Sequence, residues 1–217
     1  MLLSGVPPER TQAGFGPFAQ GRERFFSVFL MSLHTPPFRL VVGLGNPGLE
    51  YERTRHNVGF MALDRLAQGR AQWRRERAWN AQVAKMDGVL LCKPLTFMNL
   101  SGVSVGAVAG FYHIPASEIL VVLDDMSLPL GRLRLRPGGS SGGQKGLKSI
   151  VERLGTQEVA RLRLGIGGAS PEGAVGHVLG QFRKDEIPAL EEMLERAEEA
   201  ICVVQDKGLA AAMNAFN

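Results

Sequence analysis

Apolar positions along this chain follow two rhythms in alternation, a strand-like run and then a helix-like repeat. Leu40, Val41 and Val42 form a short apolar run that breaks at Gly43, Gly45 and Gly48, which predicts a strand emptying into a tight loop. Val58, Phe60, Met61, Leu63 and Leu66 then recur at helical spacing, predicting a helix over 57–68. The arginine-rich RAQWRRERAWN that follows has neither rhythm and reads as a loop. AQVAKM and VLLCKP are separated by Asp87-Gly88, a favoured two-residue turn, and predict a hairpin whose second strand ends at Pro94. A Gly-, Ala- and Val-rich stretch over 102–113 predicts a helix packed closely on the sheet, with His113 as a cap or dipole partner. Ile119 to Leu123 is the clearest buried strand and carries Asp124 and Asp125 to its carboxyl end.

The second half keeps the alternation. LRLRP alternates as a strand, and PGGSSGGQKGLKSIVERLG reads as a glycine-rich loop entering an amphipathic helix. RLRLGIG is the next strand, with Arg161 and Arg163 on one face by period two. An acidic helix over 185–207 and a short C-terminal helix complete the chain. Strands alternating with helices predict a single-domain three-layer α/β/α sandwich, and the hairpin makes its twisted, mostly parallel sheet a mixed one.

Residues 1–36 show no sustained period and read as a flexible N-terminal extension, leaving 37–217 as the folded domain. Arg22 and Arg24 before FFSVFLMSL resemble a signal peptide, but the apolar core sits late and no clear cleavage site follows. Met31 is an equally good candidate start. With 217 residues, 45% apolar and 21% charged, the chain has the composition of a soluble globular protein. No apolar run approaches the roughly 20 residues of a membrane span. Cys92 and Cys202 both sit among apolar neighbours without metal-ligand spacing, so two buried thiols in a reducing cytoplasm are expected.

The net charge of +4 hides an asymmetry. Residues 1–184 carry 23 basic and 13 acidic side chains, net +10, whereas 185–217 carry 2 and 8, net −6. The basic excess is mostly arginine, 19 against 6 lysines, and arginine's planar fork suits phosphate. A basic body points to a polyanionic partner such as nucleic acid.

Ligands of open α/β sheets bind outside the carboxyl ends of strands, which directs attention to the loop after Val42. Gly43-Leu-Gly45-Asn-Pro-Gly48 fits the dinucleotide fingerprint G-x-G-x-x-G, but Gly48 opens no apolar helical period and Asp64 falls inside a helix, so its context is wrong. The later GGQKGLK places Gln144 before Lys145 and Gly146 after it, which defeats a phosphate-loop reading. What remains is a set of polar residues in loops or at element ends: Asn46, His56, Asn99 and Asp124. A histidine paired with a carboxylate makes a general base, and neutral amides can hold a carbonyl or a developing oxyanion. No serine or cysteine lies in a nucleophile-elbow pattern, so water is the expected nucleophile. A lone histidine is more readily a hydrogen-bonded structural residue; the combination decides.

GLGNPGLEY, TRHNVG, PLTFMNLSG, LDDMSLPLG and GGSSGGQKGLKSI, in this order, closely resemble bacterial peptidyl-tRNA hydrolase over about residues 39–217. The resemblance implies an enzyme that cleaves the ester between a peptide and the 3′ ribose of tRNA, without metal or cofactor, in a mixed α/β fold. It implies that His56 is the base activating water and that Asp124 orients and polarises it. Asn46 would hold the terminal adenosine and ester region, and Asn99 the substrate carbonyl and oxyanion. Phe97 and Met98 would form an apolar contact and Tyr51 an aromatic one near the acceptor end, and Asn57, beside the base, is expected as a further substrate contact. Arg134, Arg136, Arg161, Arg163 and Lys145 are the expected phosphate contacts, and a cytoplasmic monomer acting on peptidyl-tRNA, away from membranes, is expected.

The chain departs from the family pattern where GGHNGLK is common and GGQKGLK stands here, so Lys145 occupies the place of an asparagine linked to substrate and water. Ser127 likewise stands where an acidic residue is common. A second reading stays open, because relatives of the same fold serve as RNA-splicing partners by binding and not by hydrolysis.

Overall fold

The structure, a computed structural model, describes residues 37–168 and 173–217. The expected extension over 1–36 lies outside the described residues. Seven strands form one sheet in the order β2-β3-β4-β1-β5-β7-β6. They are β1 (Leu40–Gly43), β2 (Arg74–Glu76), β3 (Ala81–Met86), β4 (Val89–Pro94), β5 (Ile119–Asp125), β6 (Leu133–Arg136) and β7 (Ala160–Gly165). β1 runs parallel to β4 and β5, and β5 parallel to β7, while β3 and β6 run against their neighbours. The sheet is therefore mixed and mostly parallel. Its central strands β1 and β5 are buried along their whole length, as strands covered on both faces must be.

Period two divides these strands between two cores. Val41, Leu91, Leu120, Val122 and Leu162 face α1 (Val58–Ala67) and α5 (Ile187–Phe216). Leu40, Val42, Cys92, Ile119, Val121 and Leu123 face α2 (Ser101–Tyr112) and α3 (Lys145–Leu154). Helices on both faces of the sheet make the three layers expected of this alternation.

Most local expectations hold for local reasons. Asp87 and Gly88 take φ of 50° and 80°, the left-handed pair a tight hairpin turn requires. His113 caps α2 in the left-handed region, and Gly208, at φ 83°, separates the acidic helix from the short final one within α5. Other expectations need correcting. The arginine-rich loop contains the edge strand β2, since Arg74 and Glu76 find backbone partners on Val83 and Ala81. The small residues of α2 serve close packing on α3, because a β-carbon on Gly102 would collide with Ser149. Cys202 is exposed while Cys92 is buried. A short helix, α4 (Ala174–Leu179), was not expected.

Two glycines bring α1 close enough to matter for the site. A β-carbon on Gly59 would lie 2.5 Å from the Val122 carbonyl oxygen and 2.6 Å from the Leu44 nitrogen, and Gly43 faces the Gly59 backbone in turn. Only with bare backbone at both positions does the start of α1 sit against the ends of β1 and β5.

Candidate active site

His56 sits in the single 3-10 turn Arg55–Asn57 that leads into α1. Its Nδ1 lies 2.8 Å from Asp124 Oδ2, at the end of β5. The pair is nearly enclosed, with side chains 12% and 3% exposed. A carboxylate can only accept, so Nδ1 carries the hydrogen and the neutral ring keeps its lone pair on Nε2. The turn is pinned from the other side as well. Thr54 bridges to Gln181, and the Arg55 amide donates to the Gly180 carbonyl at 2.9 Å. The buried Arg55 guanidinium pairs with Glu186 at 2.5 Å, donates to the Ile166 carbonyl and lies 4.6 Å over the Phe182 ring. Burial pushes the Glu186 carboxyl up, but hydrogen bonds from Arg55 and the Arg183 backbone, with the two arginine charges, outweigh it and hold the group below its ordinary value.

The other oxygen of Asp124 is also taken. Gln144 Nε2 donates to Oδ1 at 3.0 Å and touches Met98 Sδ at 3.3 Å. Gln144 Oε1 meanwhile accepts from the Leu147 amide at 2.7 Å, so this side chain is the N-cap of α3.

Asn46 and Asn57 lock the glycine-rich loop. The Asn57 amide accepts from Asn46 N at 2.8 Å and donates to Asn46 O at 2.9 Å. Asn57 is 2% exposed, so it shapes the loop and is not the substrate contact expected of it. Asn46 Oδ1 accepts from Met98 N at 2.8 Å, which leaves its NH₂ as the group available to a ligand. Met98 is buried, while Phe97 is 58% exposed and Asn99 is exposed beside it.

These residues open onto a cleft of about 1080 Å³. His56, Asp124, Asn46, Asn99, Phe97, Met98, Lys145 and Arg163 all line it, together with Gln144 and the apolar side chains of α4. Tyr51, Arg134 and Arg136 lie outside that lining. Arg134 and Arg136 are exposed on the edge strand β6, opposite Arg163 and Arg161 respectively. Arg163 Nε sits 2.7 Å from Asp125 Oδ2. Arg161 is not free for phosphate: it is 3% exposed, and its guanidinium donates to the carbonyls of Gln157, Val159, Gly139 and Ser140. Burial, and then the charge of Arg163, lowers its affinity for the proton. It acts as a staple for the glycine-rich loop before α3. Among the described residues no group of three or more His, Cys, Asp and Glu is placed to hold a metal ion.

Three residues escaped the sequence reading: Gln144, Arg55 and Glu186. Gln144 carried a usable signal, since it directly precedes the amphipathic run of α3. Arg55 and Glu186 carried none, because an ion pair across 131 residues leaves no local trace.

Fold and site define a mixed α/β protein with a nearly enclosed histidine–carboxylate pair at the carboxyl edge of its two central strands. A family model described as peptidyl-tRNA hydrolase matches residues 40–217, and the chain belongs to that family. Among similar proteins, a peptidyl-tRNA hydrolase of Thermus thermophilus is 49% identical over 179 residues, covering 82% of this chain and 95% of the relative. One from Akkermansia muciniphila is 46% identical over 186 residues, covering 83% and 96%. The crystal structure of peptidyl-tRNA hydrolase from Acinetobacter baumannii superimposes with a TM-score of 0.78 at 35% identity, covering 83% of this chain and 95% of that one.

Proposed function

We propose that this protein hydrolyses the ester joining a peptide to the 3′ ribose of tRNA, using His56 as general base on a water molecule and no metal. The observation that carries this reading is the 2.8 Å contact between His56 Nδ1 and Asp124 at the wall of a cleft wide enough for a nucleotide end and a peptide. Nε2 takes a proton from water as its oxygen bonds to the ester carbonyl carbon, and Asp124 stabilises the imidazolium that results. The carbonyl becomes a tetrahedral oxyanion, for which the amides of Asn99 and Asn46, both lining the cleft, serve as donors. Collapse breaks the bond to the ribose oxygen, which leaves with the proton held on Nε2. The products are free tRNA and a peptide carboxylic acid, which gives up its proton to solvent and leaves as the carboxylate.

Substrate groups beyond the ester have seats in the same cleft. Exposed Phe97 offers a ring to a base or an apolar side chain, and Lys145, exposed at the first position of α3, offers a cation to phosphate. The test is hydrolysis of N-acetyl-aminoacyl-tRNA with and without a chelator. Release of free tRNA at equal rates in both supports the reading, and loss of activity in chelator overturns its metal-free part.

A further inference from the structure

Gln144 touches the dyad yet has no part in the reaction as just described. We infer that Gln144 is a positioning residue for hydrolysis, holding the Asp124 carboxylate so that Oδ2 stays aimed at His56. The inference rests on the dyad reading above.

Both ends of the side chain are engaged, which is what gives it direction. Its oxygen is claimed by the Leu147 amide at the start of α3, so the amide cannot flip and its NH₂ must face Asp124 Oδ1 and Met98 Sδ. A carboxylate at a strand end turns about its last torsion unless both oxygens are held. Here one is held by His56 and the other by Gln144. Asp124 is 3% exposed at its side chain, so an oxygen released by Gln144 would be left short of partners. The bond also draws off part of the carboxylate's field without adding a titrating group. Gln144 thereby ties the first turn of α3, and the glycine-rich loop before it, to the geometry of the base.

Two substitutions separate this role from helix capping. Serine is among the best N-caps, so Gln144→Ser retains a partner for the Leu147 amide but is too short to reach Asp124. Gln144→Met keeps the length and removes both bonds. Gln144→Ser is expected to keep the melting temperature and the KM for N-acetyl-aminoacyl-tRNA while lowering kcat roughly ten-fold, the scale of one hydrogen bond to a charged group. Its acid limb should move to higher pH, because the undivided carboxylate charge favours the imidazolium. The His56 ring titration, followed by NMR on the folded protein without substrate, should move the same way. Gln144→Met should lose kcat similarly and melt lower as well. Wild-type kcat together with an unmoved His56 titration in Gln144→Ser would reduce Gln144 to a helix cap, and a change in KM alone would make it a substrate contact. Either result overturns the inference. His56→Ala run alongside keeps the two readings apart: if that variant retains turnover, the dyad reading fails, and the NMR titration still reports whether Gln144 acts on the pair.

Discussion

Nδ1 of His56 lies 2.8 Å from Oδ2 of Asp124, although 68 residues separate them along the chain. The contact fixes which nitrogen keeps its lone pair, and under the proposed mechanism its consequences are kinetic. His56→Ala should lower kcat by about 10²–10⁴-fold, the usual contribution of a positioned base, with the Kd for tRNA nearly unchanged. Asp124→Asn should also lose turnover, by a smaller factor, because the imidazole remains but its orienting charge is gone. In the native enzyme, rates should fall as acid protonates the ring, since an imidazolium cannot accept water's proton. Steady-state kinetics with a separate binding assay would decide; a His56→Ala variant that binds poorly but turns over normally would make the histidine a substrate contact.

Arg55 and Glu186 should govern part of the acid stability. Glu186 titrates below its ordinary value of 4.5 in the folded protein. A depressed carboxyl stabilises the fold above its unfolded value, and that contribution is lost as pH falls through the lower folded value. Glu186→Gln should therefore destabilise the protein at pH 7 by on the order of 2 kcal/mol, since the largely buried Arg55 loses its counter-charge. Melting curves of the two proteins should converge as pH falls through the lowered Glu186 value, once the native carboxylate is protonated as well. Curves that stay parallel down to pH 3 would show that the pair contributes nothing electrostatic.

The arginines of β6 and β7 should divide by burial. Replacing Arg134 and Arg136 together with alanine should weaken tRNA binding and flatten the slope of log Kd against log salt by roughly two counterions, and Lys145→Ala by roughly one. Arg161→Met should leave that slope alone and lower the melting temperature, because four carbonyls lose their donor. An Arg161 variant that changes the salt slope without changing stability would contradict the structure at this point.

The two thiols should differ in reactivity. Complete burial pushes the Cys92 thiol up to about 12, whereas Cys202 is exposed on α5. At pH 8 a thiol reagent should label Cys202 rapidly and Cys92 only after denaturation. Labelling of one site per native chain, located by peptide mapping, is the expected result.

What the sequence determined by itself was whatever depends on neighbours along the chain. The apolar run of β1, the Asp87-Gly88 turn, the left-handed cap at His113 and the break at Gly208 are set by local sterics and spacing, and each was legible. So were the elements bearing His56, Asp124, Asn46 and Asn99, whose proposed roles come from family resemblance and not from their spacing. Tertiary structure decided which of these polar groups meet and which are consumed internally. Period two put Arg161 and Arg163 on one face, yet only the loop over β7 showed that Arg161 spends its hydrogen bonds on backbone carbonyls. Asn57 looked like a site residue beside the base, and the folded loop turned its amide onto Asn46. Gln144 reaches Asp124 only because α3 begins where β5 ends. Hydrogen bonds and ion pairs between distant segments depend on positions to within an ångström, and a one-dimensional pattern of apolar and polar residues does not carry that information.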